Sequence, residues 1–140
     1  MNKPLVSLIC GGLNVEKFVN RCFTSVLQQT YENVEFIFIN DGSRDKTLTV
    51  IKELRESDER VHFVSFSRNF GKEAGIYAGL QAATGNYVSL IDADLQDPPS
   101  LIKEMYETLK TEDYDCVATR RVDRKGEPPI RSFFAKQFYK

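Results

Sequence analysis

Short apolar runs rich in β-branched and aromatic residues alternate along this chain with segments whose apolar residues recur at helical period. The runs are Leu5 to Cys10, Val34 to Asn40, Val61 to Ser67, Tyr87 to Asp92 and Tyr114 to Thr119, and each reads as a strand. Between them, Phe18, Val19, Cys22, Phe23, Val26 and Leu27 form one helical stripe and Leu48, Ile51 and Leu54 a second. Ile76, Gly79, Leu80 and Ala83 form a third, and Leu101, Met105 and Leu109 a fourth. Strand and helix in repeated alternation predict an α/β fold, a mostly parallel central sheet with helices on both faces, because parallel neighbours need a crossover and the helices supply it. The first four runs are apolar enough to be buried on both faces. At 140 residues, 41% hydrophobic and 28% charged, the chain suits one domain with its own core.

A formal net charge of -1 gives no general attraction to nucleic acid or to an anionic membrane. Cys10, Cys22 and Cys116 have no metal-type spacing. They read as small reduced core residues, which favours the cytoplasm. No N-terminal segment resembles a signal peptide, and no run approaches the roughly 20 apolar residues that span a bilayer. The chain as given therefore reads as soluble.

Ligands of open α/β sheets gather at the carboxyl ends of the strands, so the residues at those ends are the candidates for chemistry. The fourth run ends in Asp92-Ala93-Asp94. Side chains two apart in an extended chain point the same way, so Asp92 and Asp94 can face one divalent cation together with substrate phosphates. Hard oxygen ligands without nearby His or Cys favour Mg²⁺ or Mn²⁺ over zinc. The alternative for Asp94 or Asp97 is capping of the helix entered at Pro98-Pro99; Asp92 is too far away for that. At the end of the first run, Gly11 and Gly12 either let a ligand approach the backbone or simply make a turn. The spacing is not that of a dinucleotide fingerprint, and Gly71-Lys72-Glu73 is not an ATPase phosphate loop.

The second run ends in Asn40-Asp41-Gly42-Ser43-Arg44-Asp45. Asp41 can accept hydrogen bonds from a nucleobase N–H or a ribose hydroxyl, while Ser43 and Asp45 are better read as caps of the next helix. After the third run, Arg68 and Lys72 bracket Gly71 at a helix start. That arrangement suits a diphosphate, or else is an ordinary solvated loop. His62, the only histidine, lies within a strand, where packing or surface exposure is expected and no nucleophilic triad can be built around it.

Val26-Leu27-Gln28-Gln29-Thr30-Tyr31-Glu32-Asn33-Val34-Glu35, then Asn40-Asp41-Gly42-Ser43, then Asp92-Ala93-Asp94 strongly resemble the family-2 glycosyltransferases, through essentially the whole chain. That resemblance implies the GT-A nucleotide-sugar-binding fold. Ser67 to Ala74 and Asp92 to Pro99 look most like the branch that transfers a sugar to polyprenyl phosphate, and Arg121 to Pro128 looks closest to its bacterial, bactoprenol type. The resemblance implies Asp41 on the nucleoside, Asp92, Asp94 and Gln96 around a Mg²⁺ or Mn²⁺ ion and the donor diphosphate, and Asn14 and Glu16 near the base. It also matches Arg121 and Arg131 to arginines that hold the acceptor phosphate. The sequence departs from the family pattern at Gly11, where Pro is usual, at Leu13, where an aromatic is usual, at Val15, where Glu is common, and at Ala135, where a serine is frequent.

The activity so implied is inverting transfer of a hexose from a nucleotide diphosphate sugar, UDP-glucose favoured, to polyprenyl phosphate in cell-envelope biogenesis. Transfer to a saccharide hydroxyl, or binding of nucleotide sugar without catalysis, are the alternatives. Ile130, Phe133, Phe134 and Phe138 recur at helical spacing with Arg131, Lys136 and Lys140 alongside. This suits a helix at a membrane surface or one packed on its own domain. In the resembling branch more catalytic domain and usually two membrane helices follow, so the chain is expected to be the N-terminal part of a longer protein, working at the cytoplasmic face of a membrane. Homo-oligomerisation stays open.

Overall fold

The protein is described here from a computed structural model, which covers residues 3–92 and 100–119. In chain order the elements are β1 (Val6–Gly12), α1 (Glu16–Leu27), β2 (Val34–Asn40), α2 (Thr47–Ser57), β3 (Val61–Ser65), α3 (Lys72–Ala82), β4 (Tyr87–Asp92) and α4 (Ser100–Thr111). The four strands form one sheet in the order β3-β2-β1-β4, and every pairing in it is parallel. The alternation of the sequence is thus realised as an α/β architecture. The chain divides into two units, Met1–Ile102 and Lys103–Lys140, and the sheet belongs to the first.

Side-chain alternation along the two central strands splits the core into two layers. Leu8 and Cys10 of β1 and Phe36 and Phe38 of β2 meet Val19, Cys22, Phe23 and Val26 of α1 and Ile51 of α2. Those α1 positions follow the helical period expected of a buried face. On the other side of the sheet Ile9, Ile37 and Ile39 pack with Ala82 and Ala83 at the end of α3. Gly79 lets α3 come close, since a Cβ there would lie 2.4 Å from Ile9 Cγ2.

Several expectations need correction. Only β1 and β2 are buried on both faces; Val88 and Leu90 of β4 are 42% and 50% exposed, because α3 packs over β1 and β2 and β4 closes the sheet at its edge. Phe18 and Leu80 are exposed although both lie in the predicted stripes. On α3 the buried residues are Gly75 and Gly79: a helix held this close to a sheet buries its smallest side chains and turns Leu80 outward. Residues 114–119 form no strand. A strand exists only through its ladder, and none of the described strands pairs with this run. Cys116 is accordingly exposed, unlike the buried Cys10 and Cys22, whose sulfurs lie 3.8 Å apart.

Candidate functional site

The parallel register brings three strand ends together. Gly11 of β1 pairs with Ile39 of β2 on one side and with Asp92 of β4 on the other, and Gly12 pairs with Asn40. Beside them is an open cleft of roughly 390 Å³, lined by Gly11 and Gly12 at the end of β1 and Leu13 after it, Asp41 after β2, Gly71, Lys72, Gly75 and Ile76 at the start of α3, Leu90 and Ile91 of β4, and Ile9 and Ile39 below. This is the carboxyl end of the sheet, where the sequence places its candidate chemistry.

The two glycines that end β1 differ in their surroundings. A Cβ on Gly11 would meet nothing nearer than 3.9 Å, so its bare backbone faces the cleft, whereas a Cβ on Gly12 would lie 2.5 Å from Val15 Cγ2. Gly11 leaves room for a ligand; Gly12, the last residue of β1, lets Val15 of the following segment pack closely against it. Of the predicted donor-side residues, Asp41 and Lys72 border the cleft. Asp92 is the last residue of β4. Asp94, Gln96, Arg121 and Arg131 lie outside the described residues, as does the tail from Ile130 to Lys140.

Asn14 and Glu16 are engaged in bracing the loop after β2. Asn14 is in the left-handed region at φ 56. Its N–H donates to Ser43 Oγ, and its Oδ1 accepts from the Arg44 N–H at 2.8 Å. Glu16 Oε2 accepts from the Lys46 N–H at 2.8 Å, while the Glu16 N–H donates to Asp45. Ser43 is no helix cap, since α2 begins at Thr47 with Lys46 at its N-cap; its hydroxyl serves the β1–α1 loop instead. Asp45 does accept the Thr47 N–H at the start of α2, at 3.0 Å. Partial desolvation pushes the Asp45 carboxyl up, but hydrogen bonds from the Thr47 hydroxyl, the Thr47 N–H and the Glu16 N–H outweigh it and leave it below the ordinary carboxylate range.

Arg68 turns its guanidinium over the Phe70 ring, 4.1 Å from the centroid, and Phe70 in turn packs edge-on against Phe66. Asp41 points its two carboxylate oxygens at this loop: Oδ1 accepts from the Phe70 N–H at 2.7 Å and Oδ2 from the Gly71 N–H at 3.1 Å. Asn40, 2% exposed, extends the same bracing. Its Nδ2 donates to Ser65 Oγ and its Oδ1 accepts from the Ser43 N–H. Sequence reasoning passed over Asn40 as the last residue of an apolar strand. Its polarity in an otherwise apolar run was the available signal.

A second polar cluster lies at the opposite end of the sheet and was also missed. Glu35, buried in β2, accepts from Ser7 Oγ and from the N–H and hydroxyl of Thr84. Burial pushes its carboxyl up, but those hydrogen bonds, helped by His62 at 3.8 Å, outweigh burial and hold it below the usual carboxylate range. His62 itself is half-exposed, as expected for a strand histidine away from the cleft. Among the described residues no three His, Cys, Asp or Glu side chains form a metal-type cluster. No helix among them is long and apolar enough to cross a membrane.

With this geometry in view, the chain matches the profile described as glycosyl transferase family 2 over residues 11–134. It belongs to that family. Among curated relatives it is 47% identical over 137 residues to the uncharacterized glycosyltransferase YkcC of Bacillus subtilis, covering 96% of this chain and 42% of that protein. It is 39% identical over 139 residues to the bactoprenol glucosyl transferase of Shigella phage SfX, covering 96% of this chain and 45% of that protein. The chain thus spans less than half the length of these relatives. Solved structures of similar fold include S. aureus TarS, with a TM-score of 0.68 at 21% identity over 88% of this chain and 38% of that one. A second is the mannosyltransferase PcManGT of Pyrobaculum calidifontis, in complex with GDP-Man and Mn²⁺, with a TM-score of 0.62 at 23% identity over 66% of this chain and 28% of that one. Both are GT-A glycosyltransferases, and the fold described above is theirs.

Proposed function

We propose that this chain is the N-terminal, donor-binding part of an inverting glycosyltransferase that moves a hexose, with UDP-glucose the favoured donor, to polyprenyl phosphate. The observation that carries this reading is the cleft at the carboxyl ends of β1, β2 and β4. It offers a bare Gly11 backbone, the Lys72 side chain and the end of the strand that leads into Asp92-Ala93-Asp94. Relatives named bactoprenol glucosyl transferase support the sugar and the lipid acceptor.

The chemistry follows from charge. Departure of a nucleoside diphosphate from the anomeric carbon leaves negative charge on the diphosphate. Lys72, bordering the cleft at the start of α3, neutralises part of it, and the positive end of the helix adds to this. The donor set of Asp92, Asp94 and Gln96 is all hard oxygen, which fits Mg²⁺ or Mn²⁺, and these residues would hold such an ion. When bound, it supplies Lewis-acid stabilisation of the leaving diphosphate. Gly11 allows the donor to lie against the backbone, and Leu13, Ile39 and Ile76 give it apolar walls.

Arg121 and Arg131 hold the acceptor phosphate by charge-assisted hydrogen bonds. Its oxygen is already anionic at neutral pH, so in-line attack with inversion needs no general base, whereas a sugar hydroxyl acceptor would need one. The test is transfer by the full-length protein from UDP-[labelled glucose] to a short-chain polyprenyl phosphate. Labelled lipid is expected, and Arg121→Ala or Arg131→Ala should lower kcat/KM at least about tenfold, the loss of one charge-assisted contact, while leaving UDP affinity unchanged. The isolated chain should transfer little. Transfer to a free saccharide and never to the lipid phosphate would favour the hydroxyl-acceptor reading.

A further inference from the structure

The residue that shapes the donor side of the cleft is Asp41, and it acts through its neighbours. The turn after β2 serves as a mould for the loop between β3 and α3. At the near end, the Phe66 N–H donates to the Asn40 carbonyl at 2.9 Å and Asn40 Nδ2 reaches Ser65. At the far end, the two oxygens of Asp41 take the consecutive N–H groups of Phe70 and Gly71. Between these points Gly42, at φ 73, lies so close to the loop that a Cβ there would be 2.3 Å from the Arg68 carbonyl carbon and 2.6 Å from Asn69 N. Asp41 is fixed in its own right, because its N–H donates to the Gly12 carbonyl at 3.1 Å.

The held segment carries Arg68 and leads into Lys72, which borders the cleft. Phe70, tethered by its N–H, supports the Arg68 guanidinium on its ring. Gly71, tethered by the other oxygen at φ 94, opens α3, and its carbonyl accepts the Gly75 N–H. Lys72 and Gly75, both on the cleft wall, follow directly from it. We infer that Asp41 is a positioning residue for the diphosphate side of the site: it sets the β3–α3 loop and the first turn of α3, and with them Lys72, relative to the tip of β1. This rests on the donor-binding function proposed above.

The carboxylate is needed on both oxygens. In Asp41→Asn one N–H of the loop keeps an acceptor while the other faces an amide donor, so the loop loses one charge-assisted bond and gains a donor–donor clash. Gly42→Ala attacks the same mould without touching the carboxylate: its Cβ has no room and its φ is strained for any side chain.

The discriminating experiment titrates UDP and inorganic pyrophosphate, each with Mg²⁺, into wild type, Asp41→Asn and Gly42→Ala by calorimetry, with circular dichroism to verify folding. A positioning role predicts that both variants weaken both ligands in parallel, by about tenfold for loss of one charge-assisted hydrogen bond. It also predicts that the Phe70 and Gly71 amides lose hydrogen-exchange protection in ligand-free Asp41→Asn. If Asp41→Asn weakened UDP while pyrophosphate bound as in wild type, Asp41 would be a reader of the nucleoside and the positioning role would be overturned. Unchanged affinity for both ligands would overturn it too. Wild type that bound neither ligand would overturn the donor-binding function together with it, an outcome separate from the other two.

Discussion

Two glycines on one helix face should respond in opposite directions to the same substitution. In helix interiors alanine is better than glycine by about 1 kcal/mol, so a Gly→Ala change gains that amount wherever the methyl finds room. At Gly75 it does: the nearest atom to the added Cβ is Ile39 Cγ2 at 3.6 Å, an ordinary van der Waals separation. At Gly79 the added Cβ would lie 2.4 Å from Ile9 Cγ2 and 3.1 Å from Ile9 Cδ1. Ile9 is 3% exposed, β-branched and stiff at χ1, and sits on a strand paired on both sides, so it cannot move aside. Overpacking of this kind costs about 1–3 kcal/mol, which outweighs the propensity gain. Gly75→Ala should therefore stabilise by about 1 kcal/mol and Gly79→Ala destabilise by about the same, a gap near 2 kcal/mol. In urea unfolding the two midpoints should move apart, and in thermal melts the gap should be roughly 6 °C for a chain of this size. Equal stability of the two variants would refute the close approach of α3 to β1.

Glu35→Gln should destabilise by about 1–3 kcal/mol at neutral pH, because a buried carboxylate accepting several hydrogen bonds is replaced by an amide that can accept at only one atom. Its folded-state titration is shifted downward, so its contribution is complete above the ordinary glutamate value of about 4.3 and fades as pH falls through the lower folded value. Stability against pH, measured by urea unfolding between pH 7 and acid, should fall less steeply for Glu35→Gln, with residual slope from Asp45 and from Asp58, which the Arg60 guanidinium holds low. An identical slope would remove Glu35 from the acid response. UDP should raise the melting temperature of the chain only with Mg²⁺ or Mn²⁺ present, and Asp94→Asn should abolish most of that rise; equal stabilisation by UDP in chelator would contradict a metal held by Asp92 and Asp94.

What the sequence made legible is whatever a local pattern controls. The mostly apolar run from Val34 to Asn40, unbroken from Phe36 to Ile39, identified the central strand with its bounds, because burial on both faces demands such a run. The Val19, Cys22, Phe23, Val26 stripe likewise identified the packed face of α1. Phe18 and Leu80 escaped, since periodicity marks an apolar side of a helix without saying how wide a strip the sheet covers. Residues 114–119 have strand composition but no ladder, and partners are not written into composition. The site divides the same way. Gly11, Asp41, Lys72 and the end of β4 were legible as strand-end and helix-start residues. Their couplings were not, because Asn14 to Arg44, Glu16 to Lys46 and Asp41 to Gly71 are each 30 residues apart in sequence. Those bonds tie Asn14 and Glu16 to the neighbouring loop.

The central claim is that a nucleoside diphosphate binds at the carboxyl ends of β1, β2 and β4. Amide chemical-shift mapping of the ¹⁵N-labelled chain, titrated with UDP in the presence of Mg²⁺, tests it directly. The account predicts the largest shifts at Gly11, Gly12, Asp41, Gly71, Lys72 and Gly75, all on the cleft wall, with Val34, Thr84 and Gly85 at the opposite end of the sheet unmoved. Saturable binding whose shifts centre on Thr84 and Gly85, or no binding at millimolar UDP, would contradict it.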